Sequence, residues 1–378
     1  MGIVSLLWHA LAYTVVGIVL VWQVFSGTHI TIVPSLPAAQ RHRADTTGLF
    51  PVASTVQKTA TSTPEQKASP LQIFQSIVQH VFTPTVPSSA DIPAPKTPDQ
   101  INAQTRTALV NILCVTKSGG YLHPISGSGV IIDGTGVILT SAHVGQYFLL
   151  RDYPTPGNVD CIVRTGSPAY PTYNAKLLYL PPVWVNANAA QIVAQDARGT
   201  GENDYSFLLV TSTTGGSPLP AAFAPVPITT NTPQRGDPVL LASYPAGFLE
   251  GSTITMSLYA SSAFTTVAEL FSFADLGTVD LLSVGGTVVS QAGSSGGAVV
   301  RQQDGALLGI IATATVGTTT ASRDLHAITL AHIDRSLNAH GKGGLLQILS
   351  GDLQAKAAAF NATVAQTEKH QLIDVLEK

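Results

Sequence analysis

The chain has 378 residues, of which 45% are hydrophobic and 11% are charged, and its formal net charge is -3. A chain of this length can form one large or two ordinary domains with a sizeable core. The charge balance excludes the basic footprint of a nucleic-acid-binding protein. With 33 Gly and 24 Pro, the composition favours many short strands joined by turns over a helical protein.

Residues 1–26 contain a candidate membrane segment. The stretch 3–25 has no charged residue and is long enough to span the hydrocarbon core of a bilayer. Trp8 and Trp22 lie near its two ends, where amphipathic rings favour the interface. The alternative is a cleaved signal peptide, which is disfavoured because no Lys or Arg precedes the apolar run. We therefore expect a single-pass transmembrane anchor.

Two arguments predict opposite orientations for this segment. Arg41 and Arg43 are the first positive charges after it, and the positive-inside rule alone would keep them in the cytoplasm. Both lie well beyond the segment, however, and large domains cross a membrane largely regardless of charge. We expect the bulk of the chain to be extracytoplasmic.

Residues 27–96 are rich in Pro, Ser, Thr and Ala and are typical of an extended linker. Within this linker, residues 71–82 (LQIFQSIVQHVF) repeat apolar side chains at helical spacing. We expect a short amphipathic helix there that docks on the folded domain or on the membrane surface.

A folded domain is expected over residues 97–340. Its start is marked by Thr97, Pro98 and Gln100, which suit the N-cap, the first turn and the capping box of a short helix. The last part, residues 341–378, is expected to be a helical tail. Residues 352–377 are Ala-rich and polar enough for an exposed helix, and we expect no further folded module after the domain.

The two cysteines, Cys114 and Cys161, lie in no C-x-x-C pair and no His/Cys cluster surrounds them. A zinc site is therefore not expected, and no metal is implied. A disulfide between two strands is one interpretation if the domain lies outside the cytoplasm. Two buried free thiols are the other.

The first candidate for chemistry is His143. Residues 126–144 (SGSGVIIDGTGVILTSAHV) contain two short apolar runs separated by Asp-Gly and Thr-Gly, which predicts a β-hairpin. His143 comes directly after the second strand, so neighbouring side chains can hold it while it reaches a cleft. By itself this is weak evidence, because most histidines are surface or packing residues.

The second candidate is Asp204, which stands immediately before the apolar run YSFLLV. Carboxylates are rarely buried unless they are paired, and the N–H of a histidine ring would serve as the partner. A solvated acid at the start of a strand is the alternative. Glu202 is the rival acid, but it lies farther from the strand.

The third candidate is Ser295, within QAGSSGGAVV at residues 291–300. The small residues let the backbone turn tightly and direct its N–H groups inward. Ser295 can then present its Oγ, while the N–H groups of Gly293 and Ser295 face a developing negative charge. Such donors lower a barrier by roughly 3–4 kcal/mol each. The loop lies between strong strand patterns, which disfavours a flexible linker.

Together these three patterns resemble the trypsin-like, chymotrypsin-fold serine peptidases, in the family's order of His, Asp and Ser. The resemblance covers about residues 108–335. It implies an all-β fold of two six-stranded antiparallel β-barrels with the active site between them. It also implies a serine endopeptidase that acts on a polypeptide substrate without a metal or organic cofactor.

The resemblance further implies the role of each site residue. Ser295 would be the nucleophile, and His143 would act first as general base and then as general acid. Asp204 would orient His143 and stabilise its imidazolium. The N–H groups of Gly293 and Ser295 would form the oxyanion hole.

Two departures separate this chain from the digestive members. Ser294 stands where those enzymes carry the Asp that pairs with a freed N-terminus, so activation of that type is not expected. In this respect the chain is similar to the bacterial HtrA-like branch, although no PDZ domain is expected here.

Val289 stands six residues before Ser295, where specificity for basic residues needs an acid. The resemblance therefore predicts uncharged, apolar P1 side chains.

The sequence leaves two alternative functions. The pattern G-S-S-G-G also satisfies the nucleophile elbow of α/β-hydrolases, with Asp324 and His326 as the remaining partners, but that fold needs a helix after the serine. The residues after Ser295 predict two strands instead. The second alternative is a catalytically inactive protease fold that serves as a binding module. The oligomeric state and the natural substrate are not predicted.

Overall fold

The structure is a computed structural model that describes residues 31–32 as backbone and residues 96–118, 122–194, 200–274 and 277–378 in full. The predicted membrane segment at 3–25 and the predicted amphipathic helix at 71–82 lie outside these residues. Within the described ranges, no helix has the length and apolar character needed to cross a bilayer.

The strands, in chain order, are β1 (Thr31–Ile32), β2 (Leu109–Thr116), β3 (Ile125–Ile131), β4 (Val137–Thr140), β5 (Val159–Thr165), β6 (Tyr170–Tyr179), β7 (Ser206–Thr213), β8 (Pro238–Ser243), β9 (Ser261–Thr266), β10 (Glu269–Ser272), β11 (Leu281–Ser283), β12 (Ala298–Arg301), β13 (Leu307–Ala314) and β14 (Leu325–Thr329).

The α-helices are α1 (Pro98–Ala108), α2 (Ala142–Gly145), α3 (Pro182–Asn188), α4 (Gly251–Met256), α5 (Leu330–Ala339), α6 (Gly344–Ile348), α7 (Leu353–Ala362) and α8 (Val364–Leu376). Short 3-10 turns occupy Gln146–Leu150, Ala189–Val193 and Thr320–Ser322. Helix α1 begins at the predicted capping box, in which the Thr97 side chain accepts from the Gln100 amide and the Gln100 side chain accepts from the Thr97 amide.

The first predicted barrel is confirmed. Its six antiparallel strands close in the order β2-β3-β4-β7-β6-β5. Strand β2 shows why these residues form a barrel wall, because Leu109, Val110 and Ile112 are all 0% exposed and belong to the main core cluster. Cys114 on β2 lies opposite Cys161 on β5, and the two form a disulfide.

The prediction of a second closed six-stranded barrel was wrong. The strands of the second half form one eight-stranded sheet in the order β1-β10-β11-β14-β13-β12-β8-β9, with β1 and β9 at its edges. The distant strand β1 pairs with β10, which occupies an edge that a closed barrel would need for its own strands. The sheet is therefore a half-barrel.

A buried arginine joins the two halves. Arg164 of β5 is 1% exposed and donates from Nε to Asn111 Oδ1 at 2.8 Å. Its other nitrogens donate to the carbonyls of Ile254 and Thr255 at the end of α4. Burial lowers the pKa of Arg164. The oxygens that accept from its guanidinium in the described residues are amide and carbonyl oxygens rather than a carboxylate. This contact ties the first barrel to the insertion between β8 and β9.

The prediction of an exposed C-terminal helix was wrong in two respects. The segment forms two helices, α7 and α8, that meet at Thr363. Each has a buried face, as Phe360 at 7% and Leu372 at 0% exposure show. The helices pack on the first barrel, where the Asn361 side-chain amide also donates to the Leu177 carbonyl of β6 at 2.7 Å.

Helix α8 carries a buried carboxyl group. Glu368 is 1% exposed, and neither of its side-chain oxygens has a hydrogen-bond partner in the described part of the chain. Burial raises the pKa of Glu368 from its ordinary value of 4.5 to about 8. The folded protein therefore keeps a proton on Glu368 that the unfolded chain releases between these values, and stability falls as pH rises across that interval.

We predict that Glu368→Gln raises the free energy of unfolding at pH 8 by about 1–3 kcal/mol, because the amide is neutral in both states and removes the cost of taking up a proton on folding. At pH 4 the gain should disappear, since the carboxyl group is then neutral in both states. Urea denaturation at the two pH values measures this. Glu377→Gln, at an exposed position after the same helix, is the control, and an equal gain from both variants would contradict the prediction.

Candidate active site

His143 is held at the end of a barrel strand. Strand β4 ends at Thr140, and the carbonyl of Ser141 accepts from the amides of Val144 and Gly145 to begin the single turn α2. This turn places His143 just beyond the barrel wall. Its side chain is 26% exposed, so the ring is packed on one side and open to a cleft on the other.

Asp204 meets His143 at two points. The backbone amide of His143 donates to Asp204 Oδ1 at 3.0 Å, and His143 Nδ1 lies 2.8 Å from Oδ2. The carboxylate side chain is 7% exposed. Because an ionised carboxylate can only accept, the ring must carry its hydrogen on Nδ1 and leave Nε2 free to accept a proton. The predicted pairing of these residues is present in this geometry.

The electrostatics favour a basic imidazole. Burial lowers the pKa of His143, but the charge of Asp204 and its hydrogen bond outweigh that effect, so the net pKa lies above the ordinary 6.5. The pair also stabilises the fold, and this contribution is complete below pH 6.5 and is lost as pH rises through the folded value.

The loop that carries Ser295 is a tight turn that only glycines can form. Gly293 and Gly296 have φ values of +89° and +82°. A Cβ on Gly296 would lie 2.1 Å from the Ser128 carbonyl oxygen and 2.4 Å from Thr140 Oγ1, so a side chain cannot be accommodated. The loop therefore packs its backbone directly against β3 and β4.

Two amides of this loop are free donors. The Ala292 carbonyl accepts from the Ala246 amide at 2.7 Å, and the Ser294 carbonyl accepts from the Gly297 amide at 2.8 Å. In a trans peptide the N–H points opposite to its C=O, so the N–H groups of Gly293 and Ser295 face away from these contacts. Within the described residues neither amide hydrogen has an acceptor. Such a pair suits an oxyanion.

The Ser295 loop is attached to strand β3 of the first barrel. The Ser128 amide donates to the Ser295 carbonyl at 2.8 Å. Its neighbour Gly127 lies against the side chain of Val144, next to His143. Among the described residues the Ser295 hydroxyl has no hydrogen-bond partner.

A pocket of about 330 Å³ opens beside His143. Its lining includes His123, Pro124, Ile125, Gln146, Tyr147, Gln191, Ile192 and Ala194. Apolar side chains supply much of this wall. His143 also lines the pocket, and its Nδ1 bonds to Asp204. The pocket is thus a place where part of a substrate can lie against the imidazole.

The structure also places three further residues that the sequence analysis named. Val289 is 0% exposed within the core cluster of the second sheet. Ser294 is buried, and its hydroxyl lies 2.9 Å from that of Ser243. Glu202 is exposed and does not take the place of Asp204.

The α/β-hydrolase alternative is contradicted. Asp324 and His326 pair with each other at 3.1 Å, and Asp324 also accepts from the Ser283 hydroxyl at 2.6 Å. Ser295 is followed by strands β12 and β13 rather than by a helix. The nucleophile elbow needs a helix at that point.

The sequence reasoning missed two residues that support the site. Ser128 is 0% exposed, and its hydroxyl donates to the Gly293 carbonyl at 2.7 Å and accepts from the Tyr244 amide at 2.8 Å. The Ser-Gly-Ser-Gly pattern in β3 could have indicated a close backbone approach. Ser336 contacts both neighbours of Asp204 from helix α5, and no local pattern in the sequence points to it.

The chain is similar to known proteins over part of its length. Residues 127–310 match the family model described as a trypsin-like peptidase domain. The crystal structure of the serine endoprotease from Yersinia pestis matches with a TM-score of 0.41 and 20% sequence identity, over 66% of this chain and 69% of that chain. No curated protein sequence matches the chain.

The predicted resemblance is therefore confirmed at the level of the domain. Residues 127–310 are similar to trypsin-like peptidase domains, and this match supports a peptidase over that part of the chain.

We predict that the imidazole of His143 titrates above pH 6.5 in the folded protein. In Asp204→Asn the carboxylate charge is gone while burial remains, so the pKa of His143 should fall below its ordinary value. NMR of the ring protons across pH 4–9, assigned with His143→Gln, measures both. Asp99→Asn, an exposed change in the first turn of α1, is the control, and a titration that Asp204→Asn leaves unchanged would contradict the pairing.

Proposed function

We propose that this chain is a serine endopeptidase in which His143, Asp204 and Ser295 form the catalytic triad. The observation that carries the proposal is the two-point contact between Asp204 and His143, with its 2.8 Å bond to Nδ1. That contact leaves Nε2 free to act as a base on the side of the ring that is open to the cleft. The backbone bond between Ser128 of β3 and Ser295 supports a place for the serine at the same barrel.

The reaction uses each of these groups in turn. Ser295 Oγ attacks the carbonyl carbon of the substrate peptide, and its proton passes to His143 Nε2. Asp204 stabilises the imidazolium that forms. The negative oxygen of the tetrahedral intermediate accepts from the N–H groups of Gly293 and Ser295. His143 then protonates the leaving amine. Water next attacks the acyl-enzyme and passes a proton to His143, which returns it to Ser295 Oγ as the new carboxylic acid leaves.

We predict that a fluorophosphonate probe labels the folded chain and that peptide mapping by mass spectrometry locates the adduct on Ser295. Ser295→Ala should abolish labelling and peptide hydrolysis, because it removes the nucleophile. Ser294→Ala is the matched control and should keep the label, since that hydroxyl bonds to Ser243 in the interior. Folded wild-type protein without label would favour the alternative of an inactive binding module.

The proposal extends to specificity. Val289 stands where specificity for Arg or Lys needs an acid, and it supplies no charge. The side chain is packed among apolar core residues, so it places no negative charge before Ser295 that could pair with a basic substrate side chain. We infer a preference for uncharged, apolar P1 side chains.

We predict that digestion of a peptide library gives cleavage mainly after uncharged residues. The cleavage sites are read by mass spectrometry, and Ser295→Ala serves as the blank. Cleavage mainly after Arg or Lys would overturn the inference about Val289 while leaving the triad proposal intact.

We also propose that the domain is tethered by residues 3–25 and lies outside the cytoplasm. The uncharged apolar stretch supports the tether. The disulfide between Cys114 and Cys161 supports the compartment, since disulfides persist in oxidising environments. A free-thiol count on protein isolated without reduction tests this placement.

A further inference from the structure

Asp204 lies at the centre of a three-residue turn. The Tyr205 amide donates to the Asn203 carbonyl at 2.8 Å, which closes the turn around Asp204. Asn203 has a φ of 58°, a left-handed conformation that Asn adopts more readily than most residues but still at some cost. Such a conformation persists only where neighbouring contacts hold it. The direction of the Asp204 carboxylate therefore depends on how Asn203 and Tyr205 are anchored.

A single hydroxyl anchors both neighbours. Ser336 Oγ donates to Asn203 Oδ1 at 2.7 Å and lies 2.8 Å from the Tyr205 hydroxyl. A serine has one hydroxyl hydrogen, and the amide oxygen can only accept, so Tyr205 donates to Ser336. Ser336 is 7% exposed and Tyr205 is 0% exposed. The bond to Tyr205 is thus shielded from water, and the bond to Asn203 is partly so; a lost partner is expensive to replace in a buried position.

The helix that carries Ser336 is itself fixed. Asp280 is 4% exposed and accepts from the Arg335 guanidinium and from His332 Nδ1, both on α5. Burial alone would raise the pKa of Asp280, but the hydrogen bonds from His332, the Phe273 amide and Arg335 hold it well below its ordinary value. An ionised carboxylate therefore holds the turn of α5 that leads to Ser336.

We propose that Ser336 is a positioning residue for the triad, because its hydroxyl locks the residues on both sides of Asp204. Through them it keeps the carboxylate where it meets both the amide and the ring of His143. The inference rests on the proposed function and deepens it: a helix beyond residues 127–310 controls the geometry of the acid in the triad.

The test compares Ser336→Ala with the matched control Ser350→Ala, which removes a hydroxyl at an exposed position. Ser336→Ala should lower kcat about tenfold with KM nearly unchanged, because misplacement of a catalytic group slows the chemical step. It should also move the NMR titration of His143 to lower pH, since the contact with Asp204 weakens. Ser336→Thr, which keeps the hydroxyl, should restore most of both properties.

A second variant covers the case in which Ser336→Ala does not fold. Asn203→Gly removes the anchored side chain, while glycine adopts the left-handed backbone at little cost. It should show the same fall in kcat and the same shift of the His143 titration. A folded variant of either kind with wild-type kcat and wild-type titration would overturn the proposal, even if its melting temperature fell.

The two proposals fail separately. If wild-type protein takes no fluorophosphonate label, the proposed function fails, and the His143 titration in Ser336→Ala still reports on the position of Asp204. If labelling occurs and the titration does not respond to Ser336, only the positioning role is lost.

Discussion

The attachment of the Ser295 loop to the first barrel is the contact on which the site depends. His143 and Asp204 come from the barrel, whereas Ser295 precedes the first strand of the long segment β12–β13 in the second sheet. Ser128 joins them: its amide holds the Ser295 carbonyl, and its hydroxyl bridges the Gly293 carbonyl and the Tyr244 amide. The Ser128 side chain is fully buried, so its bonds are protected from exchange with water. Without these bonds, the open second sheet would have little to fix the position of Ser295 relative to the first barrel.

The region behind Asp204 is built from the C-terminal part of the chain. Helix α5 contributes Ser336, and α7 contributes Phe360, whose ring meets that of Tyr179 at 5.9 Å. Tyr179 in turn lies 6.5 Å from the ring of Tyr205, next to Asp204. Residues outside the matched peptidase region thus contact both chain neighbours of Asp204, directly or through Tyr179. The tail is part of the scaffold rather than an appendage, which accounts for its buried face.

The residues of the candidate site could be predicted from the sequence because each lies in a recognisable local pattern. Asp204 stands beside the strand that buries it, His143 comes after a hairpin strand, and Ser295 lies in a turn that its own glycines allow. Ser128 and Ser336 gave no comparable signal. Their partners lie 165 and 133 residues away along the chain, and no local pattern identifies those partners. The open second sheet and the packed tail were missed for the same reason, since strand closure and helix burial depend on which distant surface is available.

Sequence alone determined the candidate triad, the peptidase-like order of its members and the glycine turn around Ser295. Each of these features can be read from residues that are neighbours in the chain. Only the tertiary structure decided that Val289 belongs to the core, that Cys114 faces Cys161, and that one serine on α5 reaches both sides of Asp204. These are contacts between segments far apart in the chain. Their existence depends on how two sheets and the C-terminal helices pack, which no local pattern specifies.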